Sequence, residues 1–190
     1  HNLSLPAVQA CLENSDIHEI HLIYGRENES LKELDELYDR LHIHHGLDAN
    51  TMLGVMQKCS FAICSASTLL YELASQRIPA LCGYYVDNQK NLYAGALEAD
   101  IIHGLGDIRN FSKDDFSEAL QSVSSSMLAA VKNEQVKHFD HGSQDRVLDI
   151  FRQMSVGLGY RPCTSEDVDL VYQLSNDPLV RSNSYNSEPI

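Results

Sequence analysis

Positive charge is what this chain has least of: 14 Lys and Arg stand against 27 Asp and Glu, a formal net charge of −13. That balance argues against nonspecific nucleic-acid binding, which basic patches drive. It does not argue against a nucleotide site, because backbone amides supply the positive end locally. No apolar run approaches the length needed to span a membrane, and none has the make-up of a signal peptide. The five cysteines show no C-x-x-C spacing and leave one odd, so a reducing cytoplasm is the inferred compartment. The chain opens on His1 without an initiator Met and is read as a fragment or a processed product. What is present, 43% hydrophobic and 22% charged residues over 190 positions, describes a globular domain with room for an appendage.

The informative stretch runs from Cys59 to Asn91. Phe61 to Cys64 is a short apolar run that predicts a buried strand. Ser65, Ala66, Ser67 and Thr68 follow, small and mostly hydroxyl-bearing, where a helix with Leu69, Leu70, Leu73 and Ala74 on its apolar face should begin. Arg77-Ile78-Pro79 ends that helix, Ala80 to Tyr85 predicts a second buried strand, and Asp87-Asn88-Gln89 opens another helix. Polar residues thus gather at the carboxyl ends of two strands. A helix start there offers free N–H groups and a partial positive charge to phosphate. Ser65, Ser67 and Thr68 would add hydroxyls, Glu72 lies one turn on to accept from two ribose hydroxyls, and Asn88 and Gln89 arrive as uncharged donors. The plainer reading is that the hydroxyls cap a helix, Glu72 is solvated and Asp87 is an N-cap.

The run S-A-S-T-L-L-Y-E-L-A, then I-P-A-L, then D-N-Q-K-N, resembles the nucleotide-binding carboxyl-terminal half of GT-B glycosyltransferase-like proteins. Within these it is most similar to the UDP-2,4-diacetamido-2,4,6-trideoxy-β-L-altropyranose hydrolase family of pseudaminic acid synthesis. It is more distantly similar to the N-acetylglucosaminyltransferase that makes lipid II. The resemblance covers roughly 1–154. It implies a Rossmann-like α/β parallel sheet flanked by helices, a UDP or UDP-sugar ligand without a cofactor or metal, and displacement of UDP from the sugar by water. The His that assists that step belongs to a Gly-rich loop of an amino-terminal domain, and none of the nine His residues here lies in such a loop. No catalytic residue is therefore expected in this stretch, which should bind UDP weakly without turnover. The resemblance further implies that a loop at His45, Gly46, Leu47 and Asp48 lies beside the uracil ring. It also implies a first strand and a Gly-rich loop ahead of the helix that here starts the chain. Where relatives carry glycine this chain has Ala66.

Elsewhere the periodicity predicts helices over Leu3–Leu12, Leu31–Leu41, one capped by Asp48 or Asn50, Ser112–Val131 and Gly142–Met154. Strands are predicted over Ile17–Tyr24, around Ile43 and over Ile101–His103, with Gly104 to Asp107 a loop. Such alternation argues for a layered α/β fold. His42, His44 and His45 invite a metal, but no Cys or carboxylate cluster completes a zinc pattern. After Gly157-Leu158-Gly159 a strand from Tyr160, a capping box at Thr164 and Asp167, and a helix through Leu174 are predicted. The run R-P-C-T-S-E-D-V-D-L-V-Y-Q-L-S-N-D-P-L-V-R resembles the opening of a GNAT-type N-acetyltransferase, truncated before its acetyl-CoA loop. The expected organisation is a UDP-sugar-binding domain over 1–156 and a GNAT-like stub over 157–190. The missing amino-terminal GT-B domain is the implied partner, and apolar surface left bare would suit a homodimer. Two rival readings are a UDP-sugar glycosyltransferase and a noncatalytic scaffold.

Overall fold

The computed structural model describes residues 3–24, 38–154, 157 and 161–178. The chain divides into two compact units, His1–Gly142 and Ser143–Ile190. The first unit alternates strands and helices as the hydrophobic pattern predicts. α1 (Ser4–Glu13) leads to β1 (Ile20–Tyr24), and β2 (Leu41–His45) to α2 (Ala49–Met56). β3 (Ala62–Ser65), α3 (Thr68–Ser75) and β4 (Ala80–Tyr84) follow, then a 3₁₀ turn (Asp87–Gln89) running into α4 (Lys90–Glu98). β5 (His103–Asp107), α5 (Lys113–Gln121) and α6 (Ser125–His138) complete it. Every strand pair is parallel, as a Rossmann-like α/β fold requires.

The sheet comes in two pieces, β1–β2 and β3–β4–β5. One core joins them: Ile20 and Leu41 from the first piece pack with Leu81 from the second, beneath Val8 and Ala10 of α1 and Phe116 and Leu120 of α5. The opposite face of β3 and β4 is covered by α2, α3 and α4 through Met56, Leu70, Leu73 and Ala96. β4 pairs on both edges and its residues from Ala80 to Gly83 are buried, whereas β1 and β3 each pair on one edge and stay largely half-buried. Arg40 secures the first piece: its guanidinium donates to the carbonyls of Leu12, Asn14 and Ile17, tying the end of α1 to the start of β2. Beside it, burial pushes the Cys11 thiol up to about 11, with Arg40 pulling the other way.

Four expectations change. Gly104 to Asp107 is not a loop but most of β5. Its glycines are there for contact: a Cβ on Gly104 would sit 2.5 Å from the Tyr93 hydroxyl, which accepts from the Gly106 amide at 2.9 Å. A bulge between Cys82 and Gly83 and the positive φ of Gly106 accommodate this crowding. Ser112–Val131 is two helices, not one. The Ser122 hydroxyl donates to the Ala119 carbonyl and the Ser124 hydroxyl accepts from the Met127 amide, so the serines end α5 and start α6. Leu41 opens β2 instead of ending a helix, the rest of which (31–37) lies outside the described residues, as does the turn at 25–28. The stretch from Arg161 to Thr164 has no strand pairing, and Tyr160 lies outside the described residues. Of the two cap candidates before α2, Asp48 is the one that accepts from the Thr51 amide, at 2.8 Å.

In the second unit, α7 (Ser143–Met154) carries Val147, Leu148, Ile150, Phe151 and Met154, all exposed. A 3₁₀ turn (Ser165–Asp167) leads into α8 (Val168–Ser175), and the capping box between Thr164 and Asp167 is formed. Arg161 pairs with Asp167 as well and, together with the Thr164 amide, holds that carboxyl far below the ordinary carboxylate range.

At the other ends of the strands, Gln135 of α6 is fully buried and donates from Nε2 to the carbonyls of Ile78 (3.1 Å) and Ile101 (3.0 Å). These residues precede β4 and β5. Gln135→Leu should therefore strand two buried carbonyls and lower the unfolding free energy by about 2 kcal/mol or more, read by urea denaturation. Gly83→Ala should cost about 1–3 kcal/mol in the same assay, because its Cβ would fall 2.4 Å from Ile108 Cγ2.

Candidate functional site

β3 and β4 run parallel with Ser65 opposite Gly83, so the segments leaving their carboxyl ends are neighbours. From β3 come Ser65, Ala66, Ser67 and Thr68; from β4 come Tyr84, Tyr85 and the turn holding Asn88 and Gln89. Ser65 and Ser67 are half-buried and Thr68 is exposed. Ser67 is the N-cap of α3, yet its side chain makes no cap hydrogen bond. That hydroxyl is left without a cap partner, while the Leu70 amide of the first turn donates to the Ser67 carbonyl at 3.0 Å. Ala66 contributes least: it is 1% exposed, and its amide donates to the Gly83 carbonyl at 2.8 Å. That bond continues the β3–β4 ladder and fixes where the chain turns into α3.

Glu72 lies exposed on α3, one turn beyond Thr68. Asn88 is exposed in the 3₁₀ turn. Gln89 Oε1 accepts from the Tyr85 amide at 3.0 Å, so the side chain closes its own turn and only Nε2 remains to donate outward. The structure thus brings Ser65, Ser67, Thr68, Asn88 and Gln89 to the ends of adjacent strands. His45, Gly46 and Leu47 belong to the other piece of the sheet, at the carboxyl end of β2. There His45 is exposed and packs its ring 5.4 Å from that of Tyr24, while Gly46 supplies a φ of +63° for the turn toward Asp48.

Charged and aromatic groups that sequence reasoning passed over also line the ends of β4 and β5. Lys90 Nζ is 2.8 Å from Asp87 and 5.8 Å from the centre of the Tyr84 ring, which meets Tyr93 edge-on. Arg109 forks onto Asp107 with Nε 3.0 Å from both carboxylate oxygens. Lys90 holds the Asp87 carboxyl, and Arg109 the Asp107 carboxyl, below their ordinary value. The spacing Asp87-to-Lys90, one helical turn, was a visible signal of the first pair.

His21 of β1 and His42 and His44 of β2 form a stack. His21 pairs in register with His42, and its ring lies 5.1 Å from that of His42 and 5.2 Å from that of His44. Its Nδ1 shares a 2.9 Å hydrogen bond with His44 Nε2. Glu19 Oε1 approaches His21 Nε2 at 3.1 Å and His42 Nε2 at 3.3 Å, but the His21 contact is off-axis and leaves that nitrogen without a hydrogen bond. Among the described residues, no group of three or more His, Cys, Asp or Glu side chains is arranged to hold a metal ion, and no helix is long and apolar enough to cross a membrane.

A scan against models of protein families returns no match for this chain, and no curated protein matches it.

Burial of the His21 ring lowers its pKa below 6.5; Glu19 opposes the shift, and His44, His42 and Lys58 add to it. The folded protein therefore resists a proton that the unfolded chain accepts near the ordinary His value. Stability from this group is fully present above that value and is lost as pH falls below it. The urea midpoint should drop between pH 7.5 and about 5.5, and His21→Asn should flatten that drop; an unchanged slope in the variant would assign the effect to other groups.

Proposed function

We propose that the first unit is the UDP-binding half of a nucleotide-sugar hydrolase, of the kind that releases UDP from a diacetamido-trideoxy-hexose for surface polysaccharide synthesis. The observation that carries the reading is the mouth between β3 and β4. There the segment with the Ser67 hydroxyl, which makes no cap hydrogen bond, and the segment leading to the Asn88–Gln89 turn leave the carboxyl ends of two register-paired strands. Phosphate oxygens suit such a lining, since amide and hydroxyl donors meet them without a fixed cation.

In this reading Ser65, Ser67 and Thr68 take the diphosphate, with Ala66 contributing only the tight backbone path. Glu72 accepts from the ribose hydroxyls, and Asn88 with Gln89 Nε2 meets the leaving phosphate. The loop at His45, Gly46 and Leu47 borders the uracil. Turnover belongs to a longer polypeptide whose amino-terminal domain brings the catalytic His, and residues 157–190 are the beginning of an acetyltransferase serving the same pathway. A glycosyltransferase would use the same UDP site, and an acceptor assay on the longer polypeptide separates the two.

Calorimetric titration with UDP, against ADP as control, tests the site. Selective uptake of UDP is expected, and Glu72→Ala should weaken it about tenfold, the equivalent of one charge-assisted hydrogen bond, with the far-UV circular dichroism unchanged. Affinity that survives the substitution would remove Glu72 from the ribose. Failure of both this chain and the longer polypeptide to bind any uridine nucleotide would replace the nucleotide site with a scaffold role.

A further inference from the structure

Cys64 in β3 and Cys82 in β4 are register partners, and residues paired across parallel strands point to the same face. Both side chains enter the core covered by α2, α3 and α4. The Cys82 thiol donates to the neighbouring Gly83 carbonyl at 3.8 Å. The remaining cysteines stand apart from them: Cys11 lies in the core under α1, Cys59 donates to the Val55 carbonyl, and Cys163 is exposed in the second unit. Adjacent strands are separated by about 4.8 Å, within the Cα span of about 4.4–6.8 Å that a disulfide bridges. Access is unequal. Cys82 is completely enclosed, while Cys64 is half-buried.

We infer that Cys64 and Cys82 form a dithiol site that closes to a disulfide by exchange with a low-mass disulfide such as oxidised glutathione. The Cys64 sulfur, as thiolate, attacks one sulfur of the reagent; the reagent's S–S bond breaks and one thiolate leaves. The Cys82 sulfur then attacks the Cys64 sulfur of the mixed disulfide and displaces the second thiolate. The two protein thiol protons finish on the two departing thiolates. Two cysteines are oxidised and one reagent disulfide is reduced to two thiols. The Cys64 thiol and burial both hold the Cys82 thiol above its ordinary value; once Cys64 is in the mixed disulfide only burial remains, and it makes the second step the slower one. The closed bridge would fasten β3 to β4 one residue short of Ser65 and Gly83, whatever binds at that mouth.

The test is oxidation of the folded Cys163→Ser protein by oxidised glutathione, followed by alkylation and peptide mapping by mass spectrometry. The expected product has lost two hydrogens and yields a single linked peptide pair containing Cys64 and Cys82. Cys82→Ala should arrest the reaction at glutathione attached to Cys64, and Cys64→Ser should leave Cys82 unmodified; circular dichroism verifies that both variants fold. Stable glutathionylation of Cys64 in the parent without closure would overturn the inference, as would a bridge to Cys11 or Cys59, or no reaction where the urea-unfolded chain does react.

Discussion

β4 is the strand on which the first unit depends. Among the described residues it alone pairs on both edges, and from Ala80 to Gly83 it is sealed from solvent. An interior strand must place every amide and carbonyl in a ladder and every side chain in a core, because an unpaired buried polar group costs as much as a lost hydrogen bond. The sequence Ala80-Leu81-Cys82-Gly83 meets both demands with small or compact side chains. Leu81 fills the core under α1 and α5, Cys82 the one under α3 and α4, and Gly83 yields its space to Ile108. At its entrance Gln135 secures the Ile78 carbonyl; at its exit the Gly83 carbonyl captures the Ala66 amide and aims α3. The position of the candidate phosphate turn is thus a by-product of how β4 is held.

That arrangement clarifies which parts were legible beforehand. Apolar runs bounded by Ser, Pro and Asp marked β3, α3 and β4 to within a residue or two, since run length and flanking turn residues separate a short strand from a helix. Ser67 and Gln89 were legible as site candidates by residue type, but not the state of their hydrogen bonds. Only the fold shows Ser67 uncommitted and Gln89 half-spent on Tyr85. Gly104 and Gly106 were misread because glycine signals a turn locally, whereas here Gly104 makes room for Tyr93 and Gly106 takes a left-handed φ while its amide donates to that tyrosine, thirteen positions away. The break between α5 and α6 was hidden for a related reason: Val123 keeps the apolar period going through a segment whose serines are already capping two different helices. The ion pair of Lys90 had local spacing in its favour, yet nothing in the sequence said that two strand ends would bring Lys90 and Arg109 to one rim.

The two units contrast in how their apolar residues are spent. In the first, periodicity and burial coincide: Phe116 and Leu120 of α5, or Leu70 and Leu73 of α3, face a core. In the second, α7 and α8 have equally regular apolar faces that remain exposed. Local order there comes from polar contacts such as the Thr164–Asp167 box and its Arg161 partner, each exposed and individually worth little. Independent stability of 143–178 would need those apolar faces covered.

The division of the sheet has a mechanical side. Within each piece the strands are joined by rows of backbone hydrogen bonds, which resist shear together. Among the described residues, β1–β2 shares no such row with β3–β4–β5, and the two are held by side-chain packing beneath α1 and α5 and by the contact of Lys113 with Glu13. Packing contacts are short-ranged and yield one after another. Under load, the boundary between the two pieces is where this unit would part first, leaving the β3–β4 mouth intact.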